Sequence, residues 1–212
     1  MGKINQGIYG GVSGKVGNLI GASWKGINYL RIKPANVANP RTPKQLDQRS
    51  KFSLMLKFLQ PLNEVIKVGY KSQAIKMTPI NSALSYNIKN AIEGEYPEYS
   101  VDFENAILSK GALAQAAGAE YEIQETGKIF LSWTDNSDDP NASGDDKALL
   151  VVYNPVKNQA VTSKTVTRAD CSGEVQLPVS FEGDPFHAWI IFQSADEQVV
   201  SESTYVGEGV YL

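Results

Sequence analysis

The chain has 212 residues, 42% of them apolar and 20% charged, with a formal net charge of −3, a globular composition that excludes disorder over most of its length. One cysteine, Cys171, excludes an intrachain disulfide, and with a single histidine, His187, it leaves no ligand set for zinc. The charge is polarised: residues 1–100 hold 14 Lys+Arg against 5 Asp+Glu, a balance of +9, whereas residues 101–212 hold 6 against 18, or −12.

The first residues contain no apolar run that could serve as a signal-peptide core, and nothing approaches a membrane span of about 18 residues. The expectation is cytoplasmic synthesis without export. Met1-Gly2 opens like a myristoylation signal, but Gln6 stands where that signal requires Ser or Thr. Residues 1–38 are glycine-rich with aliphatic residues between the glycines, and they read as a β-rich arm. Ile8, Val12, Val16 and Ile20 flank Ser13-Gly14-Lys15, which is expected to turn a hairpin, and Ile27 to Ile32 reads as a further strand. So thin an element buries little by itself and has to lie on its own body or on a neighbouring subunit.

Asn39-Pro40-Arg41-Thr42-Pro43 marks a boundary, since each proline enforces extended backbone before it. Thr42 fits a helix N-cap, with Pro43 at the first helical position and Gln45 in capping-box register. Phe52, Met55, Leu56, Leu59, Leu62 and Ile66 follow at helical spacing. Leu56 and Leu59 are expected in the main core, with a kink or restart at Pro61. Thr78-Pro79 repeats the cap, and Ile80, Ala83, Leu84, Ile88 and Ala91 keep the period until Gly94 offers a stop. Phe103 to Leu108 is expected as a short strand.

From Ala119 onward the pattern becomes short β segments: Tyr121–Ile123, Lys128–Trp133, Ala148–Tyr153, Ser163–Thr167, Gly173–Leu177, Ala188–Phe192 and Val199–Tyr205. Ile129/Leu131/Trp133 and Leu149/Val151/Tyr153 alternate with period two, as two inner faces of a sandwich would. The fold class is therefore α+β: a glycine-containing β-rich arm (1–38), a helical pair with its connecting segment (39–118) and a C-terminal antiparallel β-sandwich (119–212). With Trp133 on an early strand and Tyr205 near the last, this third segment resembles fibronectin type III and immunoglobulin-like modules.

Gly11-Val12-Ser13-Gly14-Lys15-Val16-Gly17, Trp24-Lys25-Gly26-Ile27, Arg31, the Asn39-to-Pro43 boundary with Gln45 and Arg49, and Ala83-Leu84-Ser85-Tyr86-Asn87 together resemble a family of uncharacterised proteins of Bacteroidota. The resemblance covers most of the chain and implies no activity. The Asn-Pro-Arg-Thr-Pro turn followed by Gln and Arg also resembles segments of phage virion proteins.

Chemistry-bearing motifs are few. Gly14-Lys15 fails as a phosphate loop, because Tyr9 stands where the first glycine belongs and Val16 where Ser or Thr belongs. Residues 135–146 concentrate carboxylate and amide oxygens of the kind calcium takes, without EF-hand spacing, and read mainly as a solvated loop. Cys171 and His187, with Asp170 or Asp184 as orienting group, are the one nucleophile–base combination available, and Cys171 has only Arg168 nearby to lower its pKa. Lys15, Lys25, Arg31, Lys33, Arg41, Lys44 and Arg49, with Trp24 and Tyr29 interleaved, suit nucleic-acid phosphates and bases or, better, an acidic neighbouring subunit. The expectation is thus a non-enzymatic structural protein with no cofactor, no metal and no small-molecule substrate, assembling with itself as a homo-oligomer, filament or phage-like particle component. Ile8, Val12, Val16, Ile20, Trp24, Tyr29 and Arg31 are the expected intersubunit contacts. The alternatives are a module whose sandwich loops bind a glycan or protein, or nucleic-acid binding through the basic half.

Overall fold

The computed structural model describes residues 2–4, 11–24, 27–36, 41–124 and 127–211, in two compact units, Met1–Thr42 and Pro43–Leu212. The first is a four-stranded antiparallel meander, β1 (Lys3–Ile4), β2 (Val12–Val16), β3 (Leu19–Trp24) and β4 (Ile27–Ile32), in the order β1-β2-β3-β4. The expected turn at Ser13-Gly14-Lys15 lies instead inside β2, and the chain reverses at Gly17-Asn18, where Val16 pairs with Leu19. Gly17 has φ +59°, the conformation that a two-residue II′ hairpin turn demands at its first central position. Ile8 lies outside the described residues.

The second unit begins with α1 (Pro43–Leu59), α2 (Asn63–Gly69) and α3 (Pro79–Asn90). Pro61 interrupts α1 from α2, as a residue without an N–H must. Thr78 caps α3, its Oγ1 accepting the Asn81 N–H at 3.4 Å, with Pro79 at the first turn. Met55, Phe58, Leu59, Leu62 and Ile66 are buried, whereas Leu56, expected in the core, is 40% exposed, and Phe52 also faces outward. The helix period admits both sets, and the buried stripe is the one that meets the sheet below it.

The helix stop expected at Gly94 is a strand position. A hairpin of β5 (Ile92–Glu95) and β6 (Glu98–Val101) follows α3 directly, with Gly94 at φ +85°. The strand expected at Phe103 to Leu108 does not form, because side chains take the backbone groups a ladder would use. Asn105 N–H donates to Asp102 Oδ1, Ile107 N–H to Asn87 Oδ1 and Leu108 N–H to Ser203 Oγ.

Seven strands complete the unit: β7 (Ala117–Gln124), β8 (Lys128–Thr134), β9 (Lys147–Asn154), β10 (Gln159–Thr167), β11 (Ser172–Gln176), β12 (Pro185–Gln193) and β13 (Thr204–Val210). They form a four-stranded sheet, β10-β9-β12-β13, and a three-stranded sheet, β11-β8-β7, all pairs antiparallel. The last strand starts later than the expected Val199–Tyr205, since Ser194 and Val199 close a local turn on each other. Ile129, Leu131 and Trp133 pack between the sheets against Leu150, Val152, Ile190 and Phe192. Leu149, Val151 and Tyr153, expected on that inner face, point the other way and join Trp189 and Ile191 beneath the helices. Strands β9 and β12 are buried on both faces, so alternation cannot say which face meets which layer. Helices, four-stranded sheet and three-stranded sheet are thus three layers around two cores, and the helical and β segments form one unit. The α+β class holds.

Candidate functional site

In the N-terminal sheet, residues directly opposite across a ladder share a face. Val16, Leu19 and Ile32 form one such row and Gly14, Gly21 and Leu30 the next, with Val12 on the same face. Lys15, Ile20 and Arg31 form a row on the opposite face, where Ala22 pairs with Tyr29. The expected contact residues therefore divide, Val12 and Val16 on one face and Ile20, Tyr29 and Arg31 on the other. Trp24 is placed by register opposite Ile27.

Leu19, Leu30 and Ile32 are not among the expected contacts, yet Ile32 is 74% exposed, and Leu30, Leu19 and Val16 are exposed beside it, as are Ile27 and Tyr29 on the other face. The period-two pattern of β4 was the signal that could have found them. Among the described residues of this unit only Gly21 is buried, pressed so close to β2 that a Cβ would meet the Val12 carbonyl oxygen at 1.9 Å. The sheet has apolar residues on both faces, and its described residues form no core of their own.

The chemistry-bearing residues of the second unit are committed elsewhere. His187, on β12, stacks on Phe103 with ring centroids 3.8 Å apart and shares a hydrogen bond of 3.0 Å between Nδ1 and the Tyr205 hydroxyl. Burial lowers its pKa to about 4, against a smaller upward pull from Glu208, so the ring is neutral at neutral pH. Cys171 follows the 3-10 turn Arg168–Asp170 in a left-handed conformation, its Sγ donating to Ala169 O. Asp170 accepts from the Thr167 N–H and hydroxyl, and Asp184 from Asn154 and Lys157. Neither carboxylate orients His187. A cleft of about 570 Å³ does open beside His187, with Phe103 and Tyr205 as aromatic wall and Glu93, Asp102, Glu104 and Glu208 around it.

The acidic loop is held by its own turns, by main-chain bonds from Ala114 N–H to Asn141 O and Ala169 N–H to Gly144 O, and by the side chain of one arginine. Asp135 Oδ1 accepts from Ser137, and Asp139 Oδ1 from the Asn141 N–H. Asp146 Oδ2 takes the Ser143 N–H at 2.9 Å and Arg168 Nε at 3.1 Å. Arg168 is fully buried. Its remaining donors reach Asn136 Oδ1 at 2.6 Å and Ala114 O at 2.9 Å, and its guanidinium lies 3.7 Å from the Phe192 ring centre. In the sequence Arg168 stands out only as a neighbour of Cys171, because nothing local marks an arginine whose partners lie 22 to 54 residues away. Among the described residues no three His, Cys, Asp or Glu side chains are grouped to hold a metal ion. The basic residues considered for nucleic acid are split between units, Lys15 and Arg31 on strands of the small sheet, Lys33 directly after β4 and Arg41 in the same unit, and Lys44 and Arg49 on α1, while Lys25 lies outside the described residues. No helix among the described residues is long and apolar enough to cross a membrane.

Residues 11–207 match the model of a family of unknown function, DUF6266. The chain belongs to that family. The match spans the glycine-rich, Trp-Lys-Gly-Ile and Ala-Leu-Ser-Tyr-Asn motifs that suggested an uncharacterised family. No curated protein matches the chain significantly. Among solved structures it is similar to the FN1–FN3 domains of chicken CNTN1, at 9% identity and a TM-score of 0.38, covering 53% of this chain and 34% of that one. It is also similar to the fn3 domain of the human collagen alpha-1(XX) chain, at 13% identity and a TM-score of 0.34 over 47% of this chain and 86% of that one. The fn3 domain of human contactin 1 is matched at 9% identity and a TM-score of 0.33, over 49% and 81% of the two chains. The chain spans about a third of the length of the first of these. The sandwich of this family member consists of two facing antiparallel sheets.

Proposed function

We propose that the chain is a non-enzymatic structural protein that associates with further copies of itself through its N-terminal sheet, as the building block of a homo-oligomer, filament or particle. One observation carries this reading: four paired strands, in which Gly21 alone of the described residues is buried, expose Val16, Leu19, Leu30 and Ile32 on one face and Ile27 and Tyr29 on the other. Sheets of this size need an apolar face covered to be stable, and clustered exposed apolar residues mark association surfaces. The second unit has two cores of its own and does not need the sheet to fold.

Deletion tests the proposal. A chain starting at Pro34 should melt cooperatively, keep its helices and sandwich, and run as a monomer in light scattering where the intact chain is larger. Unchanged assembly after deletion would place the contact elsewhere, and loss of folding would make the sheet part of the body's own core.

A further inference from the structure

The hydrogen-bond parity of β4 sets which of its main-chain groups face outward. Lys33 N–H donates to Asn18 O at 2.7 Å in the same register that pairs Leu19 with Ile32. Along an antiparallel strand, hydrogen-bonded and non-hydrogen-bonded pairs alternate. Lys33, Arg31, Tyr29 and Ile27 therefore spend their main-chain groups on β3, while those of Asn28, Leu30 and Ile32 point away from it. β4 is the last strand of its sheet, and among the described residues those three have no partner on the open side.

Among the described residues the sheet edges of the second unit are blunted, and β1, the far edge of the small sheet, is only two residues long. The ladders of β10, β13 and β7 are each broken by an irregularity, at Ser163/Val166, Ala188/Trp189 and Ala117/Glu120, the device that keeps edges from pairing with other chains. β11 is short and runs beside β10, and the β5–β6 hairpin carries Glu93, Glu95 and Glu98. β4 pairs with β3 through six consecutive positions without a break, and all six of its residues are exposed.

We infer that β4 pairs antiparallel with β4 of a second copy across a twofold axis, joining two four-stranded sheets into one. This inference rests on the proposed self-association. The faces of the two sheets are kept only if residues of like parity oppose one another, and the open groups belong to Asn28, Leu30 and Ile32. The register that uses all three sets Leu30 against the partner's Leu30 and Asn28 against the partner's Ile32, with about six main-chain hydrogen bonds. Tyr29 then lies opposite the partner's Arg31 at a non-hydrogen-bonded position, where side chains approach most closely, giving two cation–π pairs. Such a contact is isologous and closes as a dimer. The two copies of Arg31 stand about 8 Å apart, near one screening length at physiological salt. Residues 1–42 hold six Lys+Arg and no Asp or Glu, so this pairing strengthens as salt rises. A head-to-tail contact of the basic sheet with the acidic body would weaken instead.

Sedimentation of the intact chain with Leu30→Pro, Leu30→Lys and single-cysteine variants in a Cys171→Ser background tests this. Proline at position 30 removes an N–H that faces outward, the one setting a strand tolerates, so the small sheet should stay folded while dimerisation weakens about tenfold or more. Leu30→Lys places like charges face to face and should do the same. Under mild oxidation Leu30→Cys should yield a disulfide dimer, its Cα atoms being about 5.5 Å apart, and Tyr29→Cys and Arg31→Cys far less. Preferential cross-linking at position 29 overturns the register. Self-association that is unaffected at position 30 and abolished by deletion of the sheet overturns the β4 pairing and leaves the function proposal standing. A wild-type chain that is monomeric at every concentration overturns both.

Discussion

Replacing Arg168 with methionine keeps most of the side-chain volume and removes the guanidinium donors that reach Asp146, Asn136 and Ala114, while the main-chain bonds from Arg168 N–H to Asp146 O and from Ala169 N–H to Gly144 O remain. Asp146, only 2% exposed, would keep the Ser143 N–H and lose its counter-ion. Asn136 Oδ1 and the Ala114 carbonyl would lose partners at 2.6 and 2.9 Å, and Phe192 its cation. Breaking one side of a buried ion pair costs about 3 to 5 kcal/mol, because the surviving charge stays buried. At roughly 2 to 4 °C per kcal/mol for a unit of this size, the melting temperature should fall by about 10 °C. Urea titration followed by tryptophan fluorescence reads this directly, since Trp133 Nε1 donates to the Arg168 carbonyl. The double variant Arg168→Met with Asp146→Asn should lose less than the two single losses added together. A single-variant loss under about 1 kcal/mol would show that water reaches Asp146, and the loop would then not be pinned as described.

Leu59→Ala should cost about 2 to 5 kcal/mol and Leu56→Ala under about 1, because the first side chain is fully buried and the second is not; equal losses in chemical denaturation would mean the helix face is wrong. His187 has a folded pKa of about 4, below its ordinary 6.5, so the unfolded chain binds the proton first as pH falls. Its contribution is complete above about pH 6.5, is lost between there and about pH 4, and amounts to roughly 3 kcal/mol. His187→Phe should flatten that part of the stability–pH curve, and an unchanged slope would show that the ring is solvated. Millimolar calcium should leave the melting temperature unmoved, since Asp135, Asp139 and Asp146 are taken up by their own loop; a rise of several degrees would reveal a site.

What the sequence disclosed and what it concealed follow from the range of the interactions. Local chemistry was legible: the Thr78-Pro79 cap, the break at Pro61, and the strands from β7 to β12 all arise from nearest neighbours. Orientation was not. Strands β9 and β12 are apolar on both faces, so only the helices above them decide that Leu149, Val151 and Tyr153 turn away from the sandwich interior. The segment after β6 looked like a strand because it is apolar, but Asn87, fully buried and bonded to Ala83 O and Ile107 O, draws it into an irregular path from twenty residues away. In the small sheet the glycines announced close-packed strands. The hairpin was read three residues early because Gly14 and Gly17 offer the same local freedom, and both take positive φ. Without the true register the strand at Ile27–Ile32 is legible, but the cross-strand rows that join Leu30 and Ile32 to Leu19 and Val16 are not.

Sedimentation velocity of the intact chain over a wide range of concentration is the most direct measurement of whether the N-terminal sheet joins copies of this protein. If it does, the sedimentation coefficient climbs with concentration from that of a 23.1-kDa monomer, and the climb vanishes when the chain starts at Pro34. A single monomeric species at every concentration, with the exposed apolar rows of the sheet intact, would contradict it.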